Sequence, residues 1–483
     1  MGSVFIETQR FLFSLIALFF AVSAYAEIGG DARFNPSYLK MQLPTLDDAR
    51  IGTGFHFRVN AEEESFGTSA ARTEQYNQYF RLTPSMRYSY LTDRSQFDAN
   101  ALAVLPGSSG VAPQLAVPEL FFKFKPSNNG SSFAVGRMKQ NWSTLDDHGN
   151  LGLWQPLARW DAVRPISQGL TGFFVKYNAE KFRLTYFATP IFLPDQGPEF
   201  DIKNGAVTSS NRWFRPPVDQ AQVQNSEASI RYSLDTPSVS SVVNHPGQAV
   251  MVEIGPEDEG LFLHLAMAKM PVNQYHLGLD SHYITSNELT AVIHPYVIDH
   301  QLITAESGYR YSTGQFTISN TWEKFDHPKL PDSYQQSEII DSQYLGAVVA
   351  QDLSLFGLKK AALDLSYVQR IKSAAAAKDN FTVGSVESSS QRLSFDKLFG
   401  VEFKKNVFKT YANGLDISLG YFYSITDEGE WLHGDISYLY EQNWVWNISG
   451  DVFGASGAID ENASFISKFR GNDRMMGGFS YVF

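Results

Sequence analysis

Apolar and polar positions alternate along most of the chain. In GLFLHLAMAK, which starts at Gly260, every second residue from Leu261 to Met267 is a large apolar one. In NGLDISLGYFYS, the same alternation starts at Leu415, and Asp, Ser and Gly fill several of the positions between. Successive side chains of an extended strand point to opposite faces. The pattern therefore predicts β-strands with one apolar face and one polar or small face.

Such segments recur throughout the sequence, and no helical period follows residue 26. We predict about twenty of them, several with approximate ends, near 51–62, 76–92, 96–105, 115–126, 131–138, 169–177, 180–189, 226–234, 247–255, 260–269, 274–284, 288–297, 300–311, 314–325, 342–352, 359–371, 391–405, 413–424, 430–441, 444–453 and 475–483. A soluble sandwich and a membrane barrel both use alternating strands, so the repetition alone leaves these two architectures open.

Strand length and residue placement favour the membrane barrel. A tilted strand needs about ten residues to cross a bilayer, whereas strands of globular domains average about five or six. Polar residues lie in mid-strand on one face, which suits a wet lumen. Tyr421, Tyr438 and Trp444 lie near strand ends, as in the aromatic girdles of barrels. We predict an all-β fold: a single transmembrane antiparallel up-and-down β-barrel of about 18 strands, within a range of 16 to 20.

The N-terminus resembles a secretory signal. Arg10 precedes an apolar run over 11–22, and Ala24-Tyr25-Ala26 has the small-x-small form of a cleavage site. The run is short for a membrane span, which disfavours an uncleaved anchor. We expect 1–26 to be a cleaved signal peptide, 27–50 a short periplasmic segment and 51–483 the barrel.

Composition narrows the function classes. The chain has 483 residues, no Cys and a formal charge of -12. No disulfide framework can therefore form, and the acidic balance argues against a nucleic-acid partner. Aromatic residues make up 14% of the chain, yet the mean hydropathy is only -0.22. A barrel of this size is wide enough to hold an aqueous channel.

The C-terminal residues carry a family resemblance. Met475, Phe479, Tyr481 and Phe483 step by twos to the last position, with Gly477 departing from the apolar choice. This stretch resembles the C-terminal β-signal of bacterial outer-membrane β-barrel proteins, the general porin-like class. The resemblance implies Phe479, Tyr481 and Phe483 as the membrane-insertion signal and the barrel-assembly machinery as a partner. It also implies an integral location in the outer membrane of a diderm bacterium.

The segment 139–168 is the candidate pore constriction. Counted from the first strand, it is the third outward-facing loop, and in position it resembles the porin loop that folds into the barrel and narrows the pore. Opposed charges at a constriction set a transverse field and a size limit. The candidate charges are Lys139, Asp146, Asp147, His148, Arg159, Asp161 and Arg164, and the candidate aromatic solute contacts are Trp142, Trp154 and Trp160. The alternatives are an external loop with ordinary charges and tryptophans that anchor the loop to the wall.

The histidines form a second candidate group. His264, His276, His282 and His294 fall on the polar faces of three neighbouring predicted strands. We expect them to line the lumen, where imidazoles could bind Zn²⁺ or lower the conductance when protonated. Their heights along the strands differ and no ligand spacing is present, so no metal or cofactor is predicted. The STLDDHGN motif at 143–150 lacks the ligand ladder of a calcium loop.

These features predict a porin-like channel for passive diffusion of small hydrophilic solutes or ions. The alternatives are a non-conducting barrel that anchors an envelope machine, supported by bulky lumen residues such as Phe262 and Phe422, and a saccharide-selective porin. We expect no enzymatic activity, because no G-x-S-x-G motif occurs. The expected partners are outer-membrane lipid, small solutes and, by analogy with porins, further copies of the chain.

Overall fold

The computed structural model describes residues 54–68, 75–107, 111–126, 130–223, 226–285, 287–326, 334–336, 341–372, 396–410, 412–425, 428–455, 466 and 469–482. The predicted signal peptide, the segment 27–50 and Phe483 lie outside the described residues. In the described part of the chain, no helix is long and apolar enough to cross a membrane.

Eighteen antiparallel strands form one closed sheet, which confirms the predicted fold and strand number. These wall strands are β1 (Gly54–Phe66), β2 (Gln78–Leu91), β3 (Ser95–Pro106), β4 (Gln114–Phe124), β5 (Ser131–Met138), β8 (Leu170–Ala179), β9 (Phe182–Thr189), β14 (Gly247–Ile254), β15 (Gly260–Pro271), β18 (Asp299–Tyr311), β19 (Gly314–Phe325), β21 (Ser342–Asp352), β22 (Ala361–Lys372), β23 (Lys397–Lys409), β24 (Gly414–Ser424), β25 (Gly429–Tyr440), β26 (Trp444–Ala455) and β27 (Arg474–Val482).

The other elements lie in the connections between wall strands. They are α1 (Thr144–Gly149), β6 (Leu157–Ala158), β7 (Ile166–Ser167), β10 (Asp201–Lys203), β11 (Ala206–Thr208), β12 (Gln220–Val223), β13 (Ser226–Leu234), α2 (Val239–Val243), β16 (His276–Thr285), β17 (Glu288–Tyr296), β20 (Tyr334–Gln336) and a 3-10 helix (Leu353–Phe356).

The first and last wall strands pair with each other. β1 runs antiparallel to β27, from Arg58 opposite Val482 to Phe66 opposite Arg474. This pairing removes the free sheet edges, whose backbone polar groups would otherwise be unsatisfied in lipid. The last strand can therefore lie within the wall.

The two faces of the wall differ as the alternation predicts. On β15, Leu261 is 76% exposed on the outside, while Ala266 on the inside is 3% exposed. On β26, Val452 is 53% exposed and Asp451 is completely buried. An outer face that is apolar around a polar interior is stable in a bilayer and not in water. The barrel is therefore a membrane-spanning one.

The two ends of the barrel differ in the length of their connections. At one end, 139–169, 190–246 and 272–298 link successive wall strands, whereas 92–94, 180–181 and 312–313 make the turns at the other. Transmembrane barrels carry their longer loops on the extracellular side. We call the former the loop end and the latter the turn end.

Three segments predicted as wall strands belong instead to a separate sheet at the loop end. β13, β16 and β17 join β12 and β20 in five strands, and β13 runs parallel to β17. Their alternation has a local cause: Ile230, Leu289 and Ile293 are buried together in a small core with Val207. A two-layer loop core and a membrane wall produce the same period-2 pattern, so the sequence did not distinguish them.

Candidate pore constriction

The connection between β5 and β8, residues 139–169, folds into the barrel interior; we call it the inward loop. Its helix α1 lies against β19, β21 and β22 on the far side of the lumen. There Leu145 fills the space over Gly346, where an added Cβ would come within 2.2 Å of the Leu145 Cδ1 atom. The absence of a side chain at this wall position lets the loop seat directly on the sheet.

Local hydrogen bonds shape the inward loop. The Ser143 hydroxyl accepts from the Asp146 backbone N–H at the start of α1, and Asn150 ends the helix with a left-handed φ of 46°. The buried Asp146 carboxylate then accepts the backbone N–H groups of Leu153 and Trp154, each at 2.9 Å. Asp146 therefore braces the loop itself and does not face a solute path.

One end of the inward loop is fixed to the wall by Glu306 of β18. This buried carboxylate accepts hydrogen bonds from the Ser143 hydroxyl (2.8 Å) and from the Thr144 backbone N–H (2.8 Å) and hydroxyl (3.0 Å). It also accepts from the Ser319 hydroxyl of β19 at 2.8 Å. Hydrogen bonds to an ionised acceptor are the stronger kind. Glu306 thus attaches the inward loop to the wall through several hydrogen bonds, a role that the sequence did not indicate.

The tryptophans of the inward loop are mostly anchors. Trp142 and Trp154 stack at 5.3 Å between ring centroids, and neither has any exposed surface. The Trp154 indole donates to the Thr304 hydroxyl of β18 at 3.0 Å. The prediction that these two rings contact solute is wrong, because the rings pack the loop against the wall. Trp160 is half-buried, and its carbonyl accepts from the Asn211 side chain.

The returning part of the inward loop is fixed by ion pairs. Arg164 contacts Asp435 of β25 at 2.6 Å and Asp451 of β26 at 3.2 Å. Asp161 contacts Arg474 of β27 at 2.7 Å, and Arg474 in turn contacts Asp451 at 2.7 Å. Two predicted constriction residues are therefore brought together with three wall residues in one network.

The network continues along the wall. Arg474 also contacts Glu64 of β1 at 2.5 Å, across the seam that closes the barrel. Burial disfavours the charge on Arg164, but Asp451 and Asp435 outweigh burial and raise its pKa above the ordinary arginine value. Arg164 is therefore a fixed positive charge in the lumen.

A cavity of about 170 Å³ separates the inward loop from the wall over β23 to β25. Its lining is His148, Gly149, Asn150, Ala162, Val163, Arg164, Pro165, Leu398, Glu402, Phe422, Trp431, His433 and Asp435. His433 lies between two carboxylates, 3.5 Å from Glu402 and 3.6 Å from Asp435. Next to them the Phe422 and Trp431 rings stack at 4.9 Å. The cavity thus combines charged groups with an aromatic surface.

The remaining predicted constriction residues lie outside the ion-pair network of Arg164, Asp161 and Arg474. The Lys139 backbone N–H donates to Glu119 at 3.1 Å, and Arg159 pairs with Asp195 at 3.2 Å. Asp147 is exposed, and His148 lines the cavity with its ring bonded to the Thr144 carbonyl. Of the seven charged candidates, the structure places His148 and Arg164 at the cavity.

The predicted lumen histidines are not on one wall. His264 is on β15, buried in the lumen with its Nδ1 atom 4.0 Å from Glu306. His276, His282 and His294 are in the loop-end sheet, where His294 contacts Asp235 at 2.9 Å. The prediction of four lumen histidines is thus wrong for three, because their strands form the loop-end sheet. Among the described residues, no group of three or more potential ligands could hold a metal ion.

The second long connection, 190–246, closes over the seam between β1 and β27. The Arg212 guanidinium donates to the carbonyls of Thr68 and Gly471 at 2.7 and 2.6 Å, bridging the connections on either side of the seam. Trp213 is buried beside it, and Arg474 lies 4.8 Å from the centroid of its ring. This connection therefore braces the seam at the loop end.

The two described residues of the predicted insertion signal lie on the outer face of β27. Phe479 is 42% exposed and packs on Trp446 at 5.6 Å, while Tyr481 packs edge-on to Trp444 at 4.8 Å. Together they form an aromatic patch toward lipid.

Comparison with known proteins gives likenesses of overall structure only. No family model matches the chain, and neither does any curated protein sequence. OccAB4 of Acinetobacter baumannii matches with a TM-score of 0.44 at 11% identity, over 89% of this chain and 97% of that one. A BenF-like porin of Pseudomonas fluorescens Pf-5 matches at 0.45 and 9%, over 89% and 97%. OpdK of Pseudomonas aeruginosa, solved with vanillate, matches at 0.44 and 10%, over 89% and 98%.

Proposed function

We propose that the chain is an outer-membrane channel through which small hydrophilic solutes diffuse, with the inward loop as its constriction. The observation that carries the proposal is the attachment of this loop to opposite sides of the lumen. Glu306 holds its first part and Arg164 its returning part, and a charged cavity remains beside it. A barrel with polar lumen groups and a fixed internal loop is suited to sieving solutes by size and charge.

The ion-pair network that extends from the cavity carries excess negative charge, which favours cations. A chain of ion pairs starts at the cavity and connects six carboxylates with three cations and His433. The carboxylates are Glu64, Asp161, Asp364, Glu402, Asp435 and Asp451. The cations are Arg164, Lys404 and Arg474. Carboxylates thus outnumber the cations even when His433 is protonated. Excess negative charge beside a solute path concentrates cations.

The test is the conductance of the purified, refolded full chain in a planar bilayer, with a salt gradient across it. We expect discrete open steps and a reversal potential of the sign for cations. A protein that inserts and folds but never conducts would contradict the proposal.

One observation favours a second function, that of a non-conducting barrel. Part of the barrel interior is an apolar core in which Trp142, Leu145 and Trp154 pack with wall residues such as Phe174 and Phe187. The bulky lumen residues Phe262 and Phe422 are both buried. A barrel that only anchors an envelope machine gives no conductance and co-purifies with its partners, so the same bilayer measurement distinguishes the two functions.

A further inference from the structure

One row of polar residues crosses the outer face of the barrel at its loop end. Gln248 of β14 lies opposite Lys269 of β15, Lys269 opposite Gln301 of β18, and Gln301 opposite Lys324 of β19. All four side chains are exposed, and their neighbours along each strand are buried on the lumen side. We call these four residues the donor row, because each side chain can donate hydrogen bonds.

The donor row lies at the edge of the lipid-facing band. One step towards the middle of the barrel, the cross-strand partners are Val250, Met267, Ile303 and Trp322. Of these, Met267 is 54%, Ile303 45% and Trp322 42% exposed on the apolar outer face. Tryptophan is enriched where hydrocarbon gives way to head groups. The donor row therefore lies at head-group depth.

We infer that the donor row binds a phosphorylated lipid head group of the outer leaflet. Lys269 and Lys324 are on alternate strands, so their backbones lie about 10 Å apart, and two long flexible side chains can converge on one phosphate group. The glutamines between and beside them supply neutral donors for its remaining oxygens. Cationic side chains at a membrane surface attract anionic lipid head groups.

Charge around the rim supports this location. Lys269 also contacts Asp326 at 3.2 Å, and both groups are about half exposed, so this pair is weak in water and leaves the ammonium accessible. Elsewhere on the outer face near the loop end, β1 and β25 present Glu63 and Glu430, which repel an anionic head group. Both lysines of the donor row thus lie on the side of the barrel formed by β14 to β19, away from Glu63 and Glu430.

The inference rests on the membrane placement proposed above, but its test does not depend on conduction. The full chain in detergent is titrated with bisphosphorylated lipid A or with its dephosphorylated form, and bound lipid is counted by native mass spectrometry. Each of Lys269→Gln and Lys324→Gln should weaken binding of the phosphorylated form roughly fivefold, and the double variant about 25-fold. The dephosphorylated form should bind wild type and double variant alike.

Lys397→Gln is the matched control, because Lys397 begins β23 on the outer face at the same end of the barrel. It should change lipid binding less than twofold. The variants alter exposed side chains, and a heat-dependent shift on electrophoresis verifies that each is folded. The inference is overturned if the double variant binds phosphorylated lipid as tightly as wild type. Equal loss of the dephosphorylated form would overturn it as well, since charge would then not be recognised.

Discussion

The Arg474 guanidinium donates through Nε to the Asp451 carboxylate at 2.7 Å, and neither side chain has any exposed surface. The two residues lie on adjacent wall strands, and each also holds a residue of the inward loop: Arg474 contacts Asp161, and Asp451 contacts Arg164. This pair therefore couples the closing strands of the barrel to the constriction.

Removing one member of this pair should destabilise the barrel strongly. Arg474→Met removes one of the two guanidinium groups that balance the buried Asp451 charge. Breaking a buried ion pair in this way typically lowers the free energy of unfolding by about 3–5 kcal/mol. The measurement is the free energy of unfolding in urea with detergent-solubilised protein. Lys203→Gln is the comparison, because Lys203 and its partner Asp201 are both solvent-exposed. Exposed ion pairs contribute about 0–1 kcal/mol to stability. Equal effects of the two variants would contradict this account.

Glu306→Gln should loosen the inward loop. The substitution keeps the shape of the side chain but removes the charge that four donors share, and each lost charged hydrogen bond weakens the attachment by about 1.5–3 kcal/mol. We expect larger and more variable single-channel currents than in wild type. Glu63→Gln, at an exposed outer position, is the control and should leave the current unchanged. If the single-channel current of Glu306→Gln matches wild type in size and variability, the loop is held by other contacts.

Leu145→Ala should act on the same end of the loop through packing. Leu145 is 1% exposed and sits on Gly346, so truncation leaves a cavity and costs about 2–5 kcal/mol. The expected readout is a lower urea midpoint together with a higher conductance. Leu355→Ala, in the exposed 3-10 helix at the turn end, should change neither quantity. A lower urea midpoint without any change in conductance would show that the packing of Leu145 does not determine the size of the pore.

Arg164→Gln should increase the preference of the pore for cations. The variant removes a fixed positive charge while Asp435 and Asp451 remain, so the local potential becomes more negative. The reversal potential in a salt gradient should move towards that of an ideal cation channel, and the shift should shrink at high salt. Arg159→Gln removes a loop arginine that pairs with Asp195 away from the cavity and should shift the potential less. An unchanged potential in Arg164→Gln would place the ion path elsewhere.

The wall was predictable because its signal is local. The alternation at Leu261 and Leu415 fixes which side chains face lipid, and the structure confirms both faces. The position of the inward loop also followed from counting strands. The loop-end strands β13, β16 and β17 were predicted as wall, since a small two-layer core also buries every second residue.

The contacts of the constriction were not predictable, because they depend on long-range closure. Arg164 and Asp451 are 287 residues apart in sequence and meet only when the barrel is complete. Trp142 and Trp154 lie in the loop that was predicted to enter the barrel, but they pack against the wall and do not contact solute. The sequence does not show the direction in which a loop side chain points. Mid-strand charges such as Asp435 and Asp451 were the available signal for the partners of the loop.

In the proposed channel solutes pass beside the inward loop, and a single engineered thiol tests this path. The chain has no Cys, so Asn150→Cys places one thiol at the cavity, and Ser240→Cys places one on exposed α2 as the control. A charged methanethiosulfonate reagent added during single-channel recording should reduce the current in one irreversible step for Asn150→Cys and leave Ser240→Cys unaffected. An unchanged current in Asn150→Cys, with its modification verified by mass, would show that solutes do not pass beside the inward loop.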